Sequence, residues 1–279
     1  MYWQQCEVIM EEIRKDDFVI KPCNTCSNPT PIDTERIKRK LDIHFDKKEF
    51  DQAERLLNYW IAEAKNGDNK KVELELQNEY MGFLRKMGRR DDAKHHAERA
   101  AELVRELKLD RTVGGATVFL NVATVYKAFD NPNAAMSYFN KAKEVYEQNL
   151  KEDDRLFAGL YNNMALAAVD MKQYAAAENL YKKAIEIMTK IKDGELDTAI
   201  SYLNYADLTY AQYKSDLSED YSKYSDRIEE CIASAWKFLN QETTPHDEYY
   251  RFVCEKCASS FGFYGYFLYE NELKKRAGL

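Results

Sequence analysis

The chain has 279 residues, a formal net charge of −7, 45% hydrophobic and 32% charged residues, and only 10 Gly and 5 Pro. That length and apolar content can bury a sizeable core, and so few Gly and Pro favour helices over many short strands. The acidic balance disfavours binding to a nucleic-acid backbone, no long apolar run is present to cross a membrane, and the first residues lack the basic-then-apolar order of a secretion signal, so a cytoplasmic location is expected.

Taken in chain order, Tyr2 to Lys15 are expected as an amphipathic helix with Trp3, Cys6, Ile9, Met10 and Ile13 on one side. Pro22, Asn24, Asn28, Pro29 and Pro31 then break regularity. Residues 1–31 therefore read as a capping helix and loop.

From Ile32 onward a pattern recurs. In its clearest copy Tyr161, Asn162, Asn163, Met164, Ala165 and Ala168 fall on one helix, and Tyr174, Ala177, Tyr181 and Ala184 on a second, broken at Met171-Lys172-Gln173. Small residues at such points let antiparallel helices approach closely, with aromatic rings filling the space beside them. Moving back 42 residues from Ala165 reaches Ala123, with Phe119, Tyr126, Ala135, Phe139 and Ala142 at matching offsets. A further 42 reaches Met81, with Leu84, Ala93, Ala97 and Ala100, and 40 more reaches Leu41, with Phe50, Ala53 and Leu57. Moving forward 41 reaches Ala206, whose second helix is delayed so that Ile228, Ile232 and Ala235 take the later positions. Five helix pairs are expected, at about 32–67, 71–108, 113–150, 155–192 and 195–240, closed by a capping pair over 246–279. The turns should include Asn66-Gly67-Asp68, Gly88, Asn131-Pro132 and Asp193-Gly194, with Asp91 capping the helix after Gly88.

These residues resemble the tetratricopeptide repeat, in the long variety of about 42 residues found in kinesin light chains and many bacterial proteins. Tyr161-Asn162-Asn163-Met164-Ala165 is similar to the Leu-Asn-Asn-Leu-Ala run of that variety, and Ala177, Tyr181 and Ala184 match its small–aromatic–small second helix. The leucine–glycine pair of the shorter consensus is absent, and Met81 and Leu41 stand where a small residue is usual. The resemblance implies an all-α solenoid of about five to six antiparallel helix pairs in a right-handed superhelix, with the first helix of each pair lining a concave groove.

On that groove, position matching places Asn121, Asn163 and Asn204 two residues before the small residue, and Asn78 and Asn162 one residue earlier. A carboxamide offers two donors and an acceptor, so a row of them can hold the backbone of an extended peptide whatever its sequence. Arg85, Lys127 and Tyr210 follow further along the same helices and would add charge and aromatic selectivity. The alternative is that these Asn residues bond neighbouring helices and bind nothing. The Lys/Asn/Arg clamp with which one subclass holds chaperone tails is not matched, so no chaperone-tail binding is expected.

Cys23-Asn24-Thr25-Cys26 and Cys254-Glu255-Lys256-Cys257 could together supply four thiolates to a tetrahedral zinc ion. They lie about 230 residues apart, at opposite ends of a one-dimensional stack. Cys254 and Cys257 also share an apolar helix face, where thiols act as small hydrophobes. No metal and no cofactor are therefore expected; zinc binding or redox chemistry at Cys23, Cys26, Cys254 and Cys257 is the minor alternative. His95 and His96 cannot both face one site, His44 and His246 are isolated, and acids such as Glu54 and Glu178 read as solvated. Lys86-Met87-Gly88-Arg89-Arg90 reads as a solvated turn rather than a nucleic-acid patch. Catalysis has no constellation to rest on, and no enzyme is expected.

The expected function is a scaffold that binds a protein or peptide, with neither nucleic acid nor membrane as partner. The alternative is a peptide-sensing receptor without its own DNA-binding domain, since the residues ahead of Ile32 are too few for the effector domains that such receptors carry. The aromatic run Phe261, Phe263, Tyr264, Tyr266, Phe267 and Tyr269 should mostly pack the last helix pair, and any exposed surplus would serve a partner or a homodimer.

Overall fold

The structure, a computed structural model, describes residues 32–216, 220–244 and 246–279. The expected N-terminal helix with Trp3, the Cys23–Cys26 motif and the middle of the 215–220 insertion lie outside the described residues. Among those described there are twelve helices and no strand. In order they are α1 Thr34–Asp46, α2 Phe50–Asn66, α3 Lys70–Lys86, α4 Arg90–Glu106, α5 Val113–Ala128, α6 Pro132–Asn149, α7 Arg155–Asp170, α8 Tyr174–Met188, α9 Glu195–Ser215, α10 Ser222–Leu239, α11 Glu248–Phe263 and α12 Phe267–Ala277.

The chain divides into two compact units, one ending at Asn149 and the other beginning at Leu150. In the first, α1·α2, α3·α4 and α5·α6 pack as hairpins, and first helices also meet, α1 with α3 and α3 with α5. In the second, the hairpins are α7·α8, α9·α10 and α11·α12, with α9 touching both α7 and α11. Close approach of the helices follows from the small residues. Ala53, Ala93, Ala97, Ala100, Ala123, Ala135 and Ala142 in the first unit are fully buried, as are Ala165, Ala177, Ala184, Ala206 and Ala235 in the second. A side chain of one carbon at each crossing brings the axes close, and large rings such as Phe139, Tyr146, Tyr181 and Phe261 fill the adjoining space without exposure.

The turns share one device. Lys48, Asp68, Gly88, Lys108, Asp130, Lys172 and Gly265 each adopt a left-handed backbone, with φ between 48° and 85°. In each, the N–H of the next residue bonds back to a carbonyl five residues earlier: Glu49 to His44, Asn69 to Ala64, Arg89 to Leu84, Leu109 to Val104, Asn131 to Tyr126, Gln173 to Ala168 and Tyr266 to Phe261. This satisfies carbonyls orphaned at a helix end, and in all of these turns but that at Lys108 the next helix starts two residues after the left-handed one. In the Asn66-Gly67-Asp68 turn the left-handed residue is Asp68, while Gly67 has φ −86°. One sequence expectation changes here. Asp91 does not cap α4; Arg89 stands at that position without a side-chain cap, and Asp91 and Asp92 lie in the first turn, where negative charge suits the helix dipole. The Asn131-Pro132 pair behaves as expected, with Asn131 Oδ1 accepting from the Ala134 N–H and Pro132 opening α6.

Candidate functional site

In the first unit, α3 and α5 carry Asn78, Arg85, Asn121 and Lys127. Asn78 and Asn121 are 43 residues apart in sequence and meet directly: Asn121 Nδ2 donates to Asn78 Oδ1 at 3.0 Å, both side chains being buried. Arg85 and Lys127 sit half-buried in the last turns of the same helices. In the second unit the pairing recurs two hairpins later. Asn204 Nδ2 on α9 donates to Asn162 Oδ1 on α7 at 3.2 Å, here with both residues half-exposed. Asn163 is not part of this pair; its Nδ2 turns back to the Gly159 carbonyl of its own helix at 2.8 Å. Four of the five Asn residues thus form one cross-helix couple in each unit, and Asn163 bonds its own helix. A couple uses one donor and one acceptor to tie two first helices together.

A second recurring link lies beside these couples. Tyr80, one residue before Met81, donates its hydroxyl to Glu54 at 2.8 Å, and Tyr205, one residue before Ala206, donates to Glu178 at 2.9 Å. Glu54 also accepts from Arg89 at 2.6 Å, and Glu178 from Lys182 at 2.8 Å. The Arg89 and Tyr80 bonds hold the Glu54 carboxyl below its ordinary pKa against its desolvation, and that of Glu178 is also lowered, with the Lys182 and Tyr205 bonds outweighing burial. The reading of these two acids as solvated is therefore corrected: each is half-buried and links successive hairpins. The signal was in the sequence, as a Glu just after one small residue and a Tyr just before the next crossing.

The buried pair of Glu73 and Arg99 was not foreseen. Arg99 grips the carboxylate with two bonds, 2.9 and 3.1 Å, while Glu73 is 3% exposed. The basic run after α3 is likewise consumed. Arg89 bonds Glu54 and Asp92, and Arg90 bonds Asp130 at 3.1 Å while lying over the Phe129 ring. Acids thus neutralise both arginines where a nucleic acid would need them.

Cys254 and Cys257 are both buried in α11, at 0% and 1% exposure. Burial pushes the Cys257 thiol up to about 12 and raises that of Cys254, so both are held protonated. Among the described residues no group of three or more His, Cys, Asp or Glu side chains could hold a metal ion. No described helix is long and apolar enough to cross a membrane.

Tyr210 closes the second unit's surface. Its ring meets Phe263 edge-on at 5.2 Å and Tyr264 edge-on at 6.3 Å. Tyr210 and Phe263 with Asp207, Ser259 and Ser260 border an open depression of about 330 Å³ between α9 and α11, and the Tyr264 hydroxyl donates to Asp207. Of the aromatic run, Phe261 is fully buried and Tyr269 stacks on Trp236 at 3.9 Å, while Phe263, Phe267 and Leu268 remain 62%, 63% and 83% exposed.

Compared with known proteins, the tetratricopeptide repeat model matches residues 73–148 and 156–223. A comparison with curated proteins finds no match. Among solved structures, BtubC (BKLC) from P. vanneervenii aligns with TM-score 0.63 at 19% identity, over 74% of this chain and 79% of that one. A Podosopora anserina protein of nearly identical TPR-like repeats gives 0.51 at 13% identity, over 73% and 92%. NprR, solved in complex with its cognate peptide NprX, gives 0.57 at 15% identity, over 98% and 72%. At these identities the likeness concerns the fold.

Proposed function

Because the chain belongs to the tetratricopeptide repeat family, we propose that it is a non-catalytic scaffold that binds a protein or peptide along the first helices of its hairpins. The observation that carries this reading is the direct packing of first helix on first helix, α3 on α5 and α7 on α9, with Asn couples tying them at matching positions. Such a wall is rigid before a ligand arrives, which lowers the ordering cost of binding. On the second unit's wall Asn162 and Asn204 are half-exposed and open to a peptide backbone, with Tyr210 to select side chains, and on the first unit's wall Arg85 and Lys127 would select them. Since NprR is solved with its cognate peptide, peptides are the first ligand class to try.

The test uses affinity capture from the native host lysate followed by mass spectrometry. Substituting Asn162→Ala and Asn204→Ala together removes both members of a couple, so neither is left unpaired. Loss of the captured partner with an unchanged helical spectrum supports the groove; unchanged capture rejects it. A homodimer through the exposed Phe267 and Leu268 belongs to the same reading, as the part of the aromatic run that is not used in packing.

A further inference from the structure

Deepening that reading, and resting on it, we propose that the depression between α9 and α11 is a subsite for a positively charged side chain, a Lys or Arg of the bound peptide. Two independent features of the site ask for a cation. The first is an acid without a counterion. Asp207 accepts a hydrogen bond from the Tyr264 hydroxyl at 2.8 Å and meets no Lys, Arg or His among the described residues. By contrast, Glu54, Glu73 and Glu178 have counterions in Arg89, Arg99 and Lys182. Asp207 is exposed on the rim of the depression. Desolvation by the packed rings raises its pKa in spite of that exposure, and an incoming cation would act in the opposite sense.

The second feature is the wall. Tyr210, Phe263 and Tyr264 stand edge-to-face, with centroids 5.0 to 6.3 Å apart, and so turn ring faces in more than one direction. Tyr213 and Tyr221 continue the cluster, 4.8 Å from each other and edge-on. The negative face of a ring attracts an ammonium or guanidinium, more so beside a carboxylate. The chain already uses the wall this way: Lys214 Nζ lies 5.5 Å over the Tyr210 ring. Ser259 and Ser260 on the opposite rim offer hydroxyl acceptors to the remaining donors of the cation. An apolar side chain would satisfy the rings and leave Asp207 uncompensated. An acidic one would be repelled by it.

The test is a titration of the full chain, carrying carbon-13 in its tyrosine rings, with Nα-acetyl-lysine methylamide, its arginine counterpart and its norleucine counterpart up to tens of millimolar. The resonance missing from Tyr210→Phe identifies Tyr210. Saturable shifts of Tyr210 and Tyr264 with the lysine and arginine amides, and none with norleucine, are expected. Asp207→Asn keeps the acceptor for Tyr264 and should weaken lysine binding about tenfold. Tyr210→Leu should weaken it about fivefold, and Tyr210→Phe should restore it, since the ring face is what counts. Equal shifts with norleucine, no shift with either cation, or unchanged binding in Asp207→Asn would each overturn the proposal. The two readings fail separately: if partner capture is indifferent to the Asn162 and Asn204 substitutions while lysine still saturates, the groove falls and the subsite stands.

Discussion

Tyr181 shows how tightly single side chains are held. It is fully buried on α8, its ring lies 6.2 Å from that of Tyr205, and its hydroxyl finds no hydrogen-bond partner among the described residues. Cutting it to Ala leaves a cavity and should cost about 3–5 kcal/mol. Tyr181→Phe removes only the unpaired hydroxyl, so the melting temperature should hold or rise. Ala165→Leu forces extra carbons into a crossing with no exposure, and should cost about 1–3 kcal/mol in urea unfolding. His96 adds a pH dependence. Burial, and then the neighbouring His95 and Lys65, pull its pKa from 6.5 to about 4. Between those values the unfolded chain binds the proton and the folded chain does not, so stability falls as pH drops from 6.5 toward 4. His96→Asn should show a shallower loss over that window; a slope equal to that of the parent would exclude His96 as its source.

At the scale of elements, the turns store a small amount of strain where the left-handed residue carries a Cβ. Lys172 has φ 58° and Gly88 φ 70° at corresponding places in their hairpins. Gly88→Ala should therefore destabilise by about 1 kcal/mol. Lys172→Gly should stabilise, by about 0.5 kcal/mol once the added freedom of the unfolded chain is subtracted. Opposite signs in thermal melts would confirm that one turn geometry serves both. The Asn couples and the Tyr–Glu links also belong to this scale, since each joins a helix to its counterpart in the next hairpin. Such bonds repeat with the hairpins because contacts in a repeat array are made between neighbours.

At the scale of the whole molecule, the exposed Phe267 and Leu268 are where the proposed dimer would be tested. Light scattering after gel filtration should report a dimer that Phe267→Ser with Leu268→Ser converts to monomer; a monomeric parent would remove the dimer from the proposed function. Membership of the tetratricopeptide repeat family concerns this scale too, and it was legible from a few positions. Ala123, Ala165 and Ala206, spaced by 42 and 41 residues, are all fully buried at helix crossings.

The hairpins could be read from residue types alone because their cause is local. A small side chain every forty-odd positions sets how close two helices come, and short turns force neighbours to be antiparallel. The candidate site was legible only as a set of positions. Whether Asn121 reaches Asn78 or solvent, whether Asn163 bonds its own helix, and whether Glu54 meets Arg89 depend on rotamers chosen by side chains twenty to forty residues away. Asp207 makes the same point: its lack of a counterion, and the rings that surround it, exist only once α9 and α11 are packed together. Spacing along a chain specifies which helices touch, whereas the charge and hydrogen bonding of a surface are settled by what those contacts leave over.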